Sequence, residues 1–181
     1  MNRSKKNFVK IIGGSWKRKN IFFSDNEGLR PTLGRVRETL FNWLDQDLTS
    51  KNCLDLFSGT GALGFESLSR NAKSCVMVEK NKNNINELLK NKETLNAEFA
   101  QVIHSSADTF LQNNNKIFDV IFFDPPFNDE DSYKLLNNLS DALRSNGLVY
   151  LESKSPIEIN QLKIIKSSRA GQVYFYLLTS N

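Results

Sequence analysis

The sequence predicts an open α/β fold built on a mostly parallel sheet. Three observations carry this. From Asn52 onward, short apolar runs alternate with segments of helical periodicity. Residues 117–123 are apolar throughout apart from Asp119, as a strand buried on both faces should be. Acidic and glycine-rich clusters fall where strands end, the edge at which such sheets bind ligands.

Residues 8–12 and 21–23 are short apolar pieces separated by Gly13, Gly14 and Ser15, which signal a turn. They predict a short basic β-hairpin with Trp16, Lys17, Arg18 and Lys19 at or near its turn. Gly28 and Pro31 mark a loop. Thr32 is placed to cap a helix in which Val36, Leu40, Trp43 and Leu44 recur at helical spacing. Residues 52–57 form the next strand and run into a glycine-rich turn. A helix over 62–70 and a strand over 74–78 follow. Residues 80–96 are an amphipathic helix with Ile85, Leu88, Leu89 and Leu95 on one stripe. Residues 100–104 and 117–123 are strands. Residues 131–145 read as a helix with Leu135, Leu136, Leu139 and Leu143 inward. Residues 148–151 are a further strand. Residues 162–165 and 173–178 flank Arg169-Ala170-Gly171 as a terminal antiparallel hairpin.

The 181 residues suit one domain with a sizeable core and a small extension. We place the extension at residues 1–31 and the sheet domain at 32–181. Residues 1–37 hold ten Lys or Arg against two acidic residues, a net +8. The rest holds fourteen against eighteen, a net −4. A basic arm on a mildly acidic body suits contact with a polyanion. Apolar runs are too short to span a bilayer, and no long apolar run follows the early basic residues. A membrane partner and a secretory signal are therefore not expected, and a cytoplasmic location is. Cys53 and Cys75 fall in apolar strand segments and are expected as buried free thiols. No metal cluster is present in the sequence pattern.

The first chemical cluster is Asp55-Leu56-Phe57-Ser58-Gly59-Thr60-Gly61-Ala62-Leu63-Gly64, a strand, a tight turn and a helix start. Gly59 and Gly61 permit close ligand approach. No Lys followed by Ser or Thr closes the turn, so it is not a Walker loop. Asp55 would repel a pyrophosphate and suits a cationic or amine-bearing ligand. Glu79 ends the next strand, where a carboxylate can accept ribose hydroxyls. Asp108, after the third strand, can edge an adenine ring or cap the following helix. His104 ends an apolar strand, which favours a structural role over that of a general base.

The most specific cluster is Asp124-Pro125-Pro126-Phe127. Two prolines stiffen the backbone where the sheet delivers it to the crevice. An exocyclic base amine is a poor nucleophile because its lone pair is delocalised. The Asp124 carboxylate and the Pro125 carbonyl can accept its two N–H groups and orient it. Phe127 can stack on a base that has left its helix.

These residues resemble the class I S-adenosyl-L-methionine-dependent methyltransferases. The resemblance implies a seven-stranded Rossmann-like sheet in the order 3-2-1-4-5-7-6 with the seventh strand antiparallel. It also implies a cofactor site at Asp55, Phe57, Ser58, Gly59, Thr60, Gly61, Glu79 and Asp108. Residues 11–19, Leu29-Arg30-Pro31-Thr32, residues 35–44 and the two chemical clusters are similar to the bacterial RsmD family. That family methylates the N2 amine of one guanine of 16S ribosomal RNA, in the small subunit or a late assembly intermediate. The similarity implies catalytic roles for Asp124, Pro125 and Phe127. It places RNA contacts at Arg3, Lys10, Gly13, Gly14, Trp16, Lys17, Arg18, Lys19, Arg30, Pro31, Arg35 and Arg37, on a monomer. Two other readings are an adenine-N6 or other base-amine methyltransferase, and a non-catalytic assembly factor that kept the fold. Intact Asp55, Glu79, Asp124 and Phe127 argue against the latter.

Overall fold

The computed structural model describes residues 7–24 and 33–180. The basic segment opens as strands β1 (Asn7–Lys10) and β2 (Asn20–Phe23), paired antiparallel. Helix α1 spans Gly34–Trp43. The alternating part then runs β3 (Asn52–Asp55), α2 (Ala62–Ser69), β4 (Ser74–Glu79), α3 (Lys82–Leu95), β5 (Ala100–His104), α4 (Ala107–Asn113) and β6 (Phe118–Phe123). Helix α5 (Glu130–Lys134) passes directly into a 3-10 segment, Leu135–Ala142. Strands β7 (Leu143–Ser153), β8 (Leu162–Ala170) and β9 (Val173–Ser180) complete the chain.

The large sheet is ordered β5-β4-β3-β6-β7-β9-β8. Counted from β3 this is 3-2-1-4-5-7-6, with β9 antiparallel to both its neighbours, as expected. Strand side chains alternate between two cores. Cys53, Cys75, Met77, Phe122, Tyr150 and Phe175 face one core with Leu40, Phe41, Phe65 and Leu88. Leu54, Val76, Ile121, Phe123, Val149 and Leu178 face the other with Ala107, Leu139 and Ala142. Both cysteines are buried free thiols in register on β3 and β4.

Several local expectations need correction. The helix expected over 131–145 ends by Ala142 and is mostly 3-10. Asn137, Asn138, Ser140 and Asp141 are weak helix formers whose side chains compete for backbone partners. Leu143 is inward as expected, but as the first residue of β7, paired with Phe118. Leu89 is exposed; the buried stripe of α3 is Asn84, Ile85, Leu88, Asn91 and Leu95. Asn91 is satisfied in its buried place by pairing with β2: its amide accepts from Phe22 N at 3.0 Å and donates to Phe22 O at 2.7 Å. Strand β3 stops at Asp55 and leaves Leu56 and Phe57 to the turn. Thr32 lies outside the described residues, and Leu33 stands at the N-cap of α1 without a side-chain cap bond.

The hairpin is fastened to α2 by one buried carboxylate. Glu66 accepts from the amides of Ile12 and Gly13, each at 2.8 Å. Its other partners are Arg70 Nε at 2.9 Å and Arg37 Nη1 at 3.5 Å. Arg37 also donates to the Lys10 carbonyl from both terminal nitrogens, and Arg70 stacks over Phe41. Gly14 has φ +73°, and a Cβ there would sit 1.8 Å from the Ser69 carbonyl oxygen, so only glycine allows this approach. Ile11 and Ile21 of the hairpin are buried in the same core as Leu40 and Phe65.

Removing one partner of a buried ion network strands the others in a low dielectric. Glu66→Ala is expected to lower the unfolding free energy by about 3–5 kcal/mol, read by urea denaturation. A loss below about 1 kcal/mol would show that the network does not fasten the hairpin.

Candidate functional site

The carboxyl ends of β3, β4, β6 and β7 converge on a cavity of about 980 Å³. Such a volume suits a cofactor together with part of a second ligand. Its walls come from the two chemical clusters and from segments the sequence did not single out.

The glycine turn forms one wall. Gly61 is the N-cap of α2 with φ +80°, and a Cβ there would fall 2.6 Å from Leu88 and 2.7 Å from Phe65. The turn is braced by Ser58 N donating to the Val78 carbonyl at 2.9 Å and Ser58 Oγ donating to the Asp55 carbonyl at 2.9 Å. Phe57, Ser58, Gly59 and Thr60 all line the cavity. Glu79 accepts from Gly59 N at 2.9 Å and Asn81 N at 2.7 Å, so each oxygen holds the backbone of one loop. A carboxylate has further lone pairs for ribose hydroxyls.

Asp55 is buried beneath this turn, with Oδ2 accepting from Gly64 N at 2.9 Å. Burial pushes its pKa up; the Gly64 amide opposes the shift and the Glu79 charge adds to it, leaving a value of about 7. A buried carboxyl in this state is matched to a cationic ligand, whose charge favours ionisation.

Asp108 is exposed at the cavity edge and accepts from Gln112 Nε2 at 2.9 Å. Of its two expected roles, the helix cap belongs instead to Ser106, whose Oγ accepts from Thr109 N at 3.2 Å. His104 is not among the lining residues; its Nε2 meets the Lys80 carbonyl at 3.0 Å, in keeping with a structural role.

Asp124, Pro125, Pro126 and Phe127 also line the cavity. The Lys154 ammonium lies 5.5 Å from the centre of the Phe127 ring and donates to Asn128 Oδ1 at 3.2 Å. Glu152, Lys154, Asn84 and Asn128 line the cavity and were missed by sequence reasoning. Glu152 carries the signal that singled out Glu79, an acid at the end of an apolar strand, and could have been found by it. Asn84 and Asn128 carry no such signal.

The basic residues divide into two groups. Lys10, Lys17, Arg18, Lys19 and Arg35 are exposed, three of them on the turn of the hairpin. Gly13 and Gly14 serve the docking onto α2 described above, and Trp16 is half-buried against the core. Arg37 departs from the expected surface contact: it is 2% exposed and committed to Lys10 and Glu66. Burial lowers its pKa, with Glu66 opposing and Arg70 adding to the shift. Arg3, Arg30 and Pro31 lie outside the described residues. Among the described residues, no group of three or more His, Cys, Asp or Glu is arranged to hold a metal ion.

A sheet in this order, with a glycine turn after its first strand, an acid after its second and Asp-Pro-Pro-Phe after its fourth, defines a class I S-adenosyl-L-methionine-dependent methyltransferase. The family model described as Conserved hypothetical protein 95 matches residues 9–179. Ribosomal RNA small subunit methyltransferase D of Escherichia coli (strain K12) is 41% identical over 182 residues, covering 97% of this chain and 92% of the relative. The protein of that name from Haemophilus influenzae is 40% identical over 178 residues, covering 93% and 92%. The solved structure of putative methyltransferase yhhF from Escherichia coli superposes with a TM-score of 0.85 at 37% identity, covering 97% of this chain and 99% of that one. The chain belongs to the ribosomal RNA small subunit methyltransferase D family.

The residues present fit the cofactor of this class: Asp55 and Glu79 disfavour a pyrophosphate and favour a cation with ribose hydroxyls. Asp55 gives the test. Below about pH 7 it holds a proton, which a cationic ligand must displace. Affinity for S-adenosyl-L-methionine is expected to rise with pH up to about 7, by at most roughly tenfold per unit, and then level. Calorimetric titration from about pH 5.5 to about 8.5 reads this, and Asp55→Asn should flatten the profile.

Proposed function

We infer that this chain transfers a methyl group from S-adenosyl-L-methionine to the exocyclic N2 amine of a guanine in small-subunit ribosomal RNA. The observation that carries the reading is the cavity shared by the glycine turn, Glu79 and the Asp124–Phe127 loop. The names of the two relatives supply the RNA.

The cofactor, when bound, supplies an electrophilic methyl group on a sulfonium. Asp55, Glu79 and the turn amides would hold it, with Asp108 at its outer edge. Asp124 and the Pro125 carbonyl would accept the two hydrogens of the guanine amine and fix the direction of its lone pair. Phe127, steadied by the Lys154 ammonium at its face, would stack on the base. Positioning of this kind is the larger part of catalysis when a poor nucleophile meets a strong electrophile. The surplus proton on N2 leaves through the hydrogen bond to Asp124.

Substrate recognition is assigned to residues 1–31 with Arg35. The exposed cations Lys10, Lys17, Arg18, Lys19 and Arg35 suit phosphates, with lysine acting as a point charge where arginine would offer a fork. Arg37, Gly13 and Gly14 act behind that surface by fixing it to α2. The target we favour is the assembled small subunit or a late precursor, met by a monomer in the cytoplasm.

Asp124→Ala is expected to lower the turnover rate on the order of 10²–10³-fold while the dissociation constant for the cofactor stays within about threefold. Turnover assays on unmodified small subunits, paired with calorimetry, separate the two; equal losses in both would overturn this division. Replacing Lys17, Arg18 and Lys19 together by Ala should flatten the dependence of log affinity on log salt by roughly 0.7–0.9 for each phosphate that the variant leaves unneutralised. Filter binding across a salt series measures it.

A further inference from the structure

Asp124 is not alone at its end of the sheet. Strands β6 and β7 run parallel, with Phe122 opposite Tyr150 and Phe123 opposite Leu151. The next residues along the chain are Asp124, just past the end of β6, and Glu152. Both line the cavity. Glu152 is only 5% exposed and stands one residue before the end of β7.

The Glu152 side chain is held firmly. Tyr150 Oη donates to Glu152 Oε1 at 2.6 Å, and Tyr133 Oη donates to the Glu152 carbonyl at 3.0 Å. Burial, together with the charges of Glu152 and Asp124, pushes both tyrosines well above their ordinary pKa. Both hydroxyls therefore stay protonated and keep donating at any working pH. A carboxylate accepts about four hydrogen bonds, so one held by a tyrosine can also accept from a ligand.

The chemistry of the base completes the argument. Guanine presents two neighbouring donors on one edge, the N2 amine and N1–H. Adenine presents an acceptor at N1, which a fixed carboxylate would repel. The proposed site uses Asp124 and Pro125 for the amine and so far nothing for N1–H.

We propose that Glu152 is a specificity-determining residue that accepts the N1–H of the target guanine beside Asp124 and so excludes bases with an acceptor at that position. The proposal rests on the guanine reading above. Sites that hydrogen-bond a substrate group reject analogues lacking it far more strongly than apolar pockets reject a size change. Glu152→Gln keeps the size and the bond from Tyr150, since the amide oxygen can accept it. Its NH₂ then faces the base and matches an N1 acceptor.

The test uses small subunits reconstituted with RNA carrying either guanine or 2-aminopurine at the methylated position. 2-Aminopurine keeps the N2 amine but has an acceptor at N1. The wild type should prefer guanine by at least about 10²-fold in kcat/KM, and Glu152→Gln should bring that ratio to within about tenfold of unity. The missing O6 of 2-aminopurine affects both enzymes alike, so the change in ratio isolates N1. Cofactor affinity should be unchanged. Tyr150→Phe, which removes one donor from the carboxylate but keeps its charge, should lower the ratio part way and serves if Glu152→Gln does not fold. Equal rates on the two bases in the wild type, or an unchanged ratio in a folded variant, would overturn the role of Glu152 alone. Absence of methyl transfer to guanine by the wild type would overturn the guanine reading and this proposal with it.

Discussion

The carboxylate of Glu66 is the interaction on which the arrangement of this molecule depends. It has no solvent exposure and gathers two backbone amides and two guanidinium groups. Its partners belong to three separate stretches: the hairpin, α1 and α2. A buried ion group of this kind is weak evidence for net stability, because desolvation offsets much of the attraction. What it does supply is position. A carboxylate surrounded by directed donors admits one placement of the hairpin, whereas the apolar contacts of Ile11 and Ile21 would tolerate several. Gly14 and Asn91 reinforce that placement, one by letting backbone meet backbone, the other by pairing with the edge of β2.

The same helix carries the placement into the site. Glu66 lies one turn into α2, and the first turn of that helix contains Gly64, whose amide holds Asp55. The N-cap of α2 is Gly61, the last residue of the glycine turn. The basic surface proposed for RNA and the cavity wall proposed for the cofactor thus both rest on one short, fully buried helix. A shift of the hairpin relative to the cavity would require α2 to move, and Leu63, Phe65 and Leu68 pack it against the sheet.

How far this could be read from the chain depended on the length of the pattern involved. Apolar runs set between helical segments made β3 to β6 legible, whereas the order of the sheet came from the family resemblance and not from periodicity. The turn and the Asp-Pro-Pro-Phe loop were legible because glycine and proline at strand ends have few other uses. The 131–145 segment was misread because its leucines keep helical spacing while its asparagines and serine undermine the helix locally. Arg37 was misread for a different reason. Charge in a sequence carries no sign of burial, and its partner Glu66 lies 29 positions away in a helix that otherwise looks apolar. Asn91 was hidden likewise, since a polar residue on a buried face is justified only by the tertiary partner it meets. Glu152 was within reach, as its position after an apolar strand matches that of Glu79 and Asp124.

Four parallel strands therefore deliver an acid to one cavity: Asp55, Glu79, Asp124 and Glu152. Burial raises the pKa of Asp55, and the Glu79 charge adds to that shift. Lys80 and Lys154 at the wall offset part of the field. The exposed cations Lys10, Lys17, Arg18, Lys19 and Arg35 lie on the hairpin and at the start of α1. This separation sorts the parts of a nucleotide. In the proposed function, phosphates would be drawn to the basic surface and repelled from the cavity, while a neutral base rich in N–H donors would gain bonds by entering it. A cationic cofactor gains in the same way. A base brought in by these forces would present its donors to the carboxylates, the orientation proposed for methyl transfer, so a charge pattern that selects the substrate would also align it.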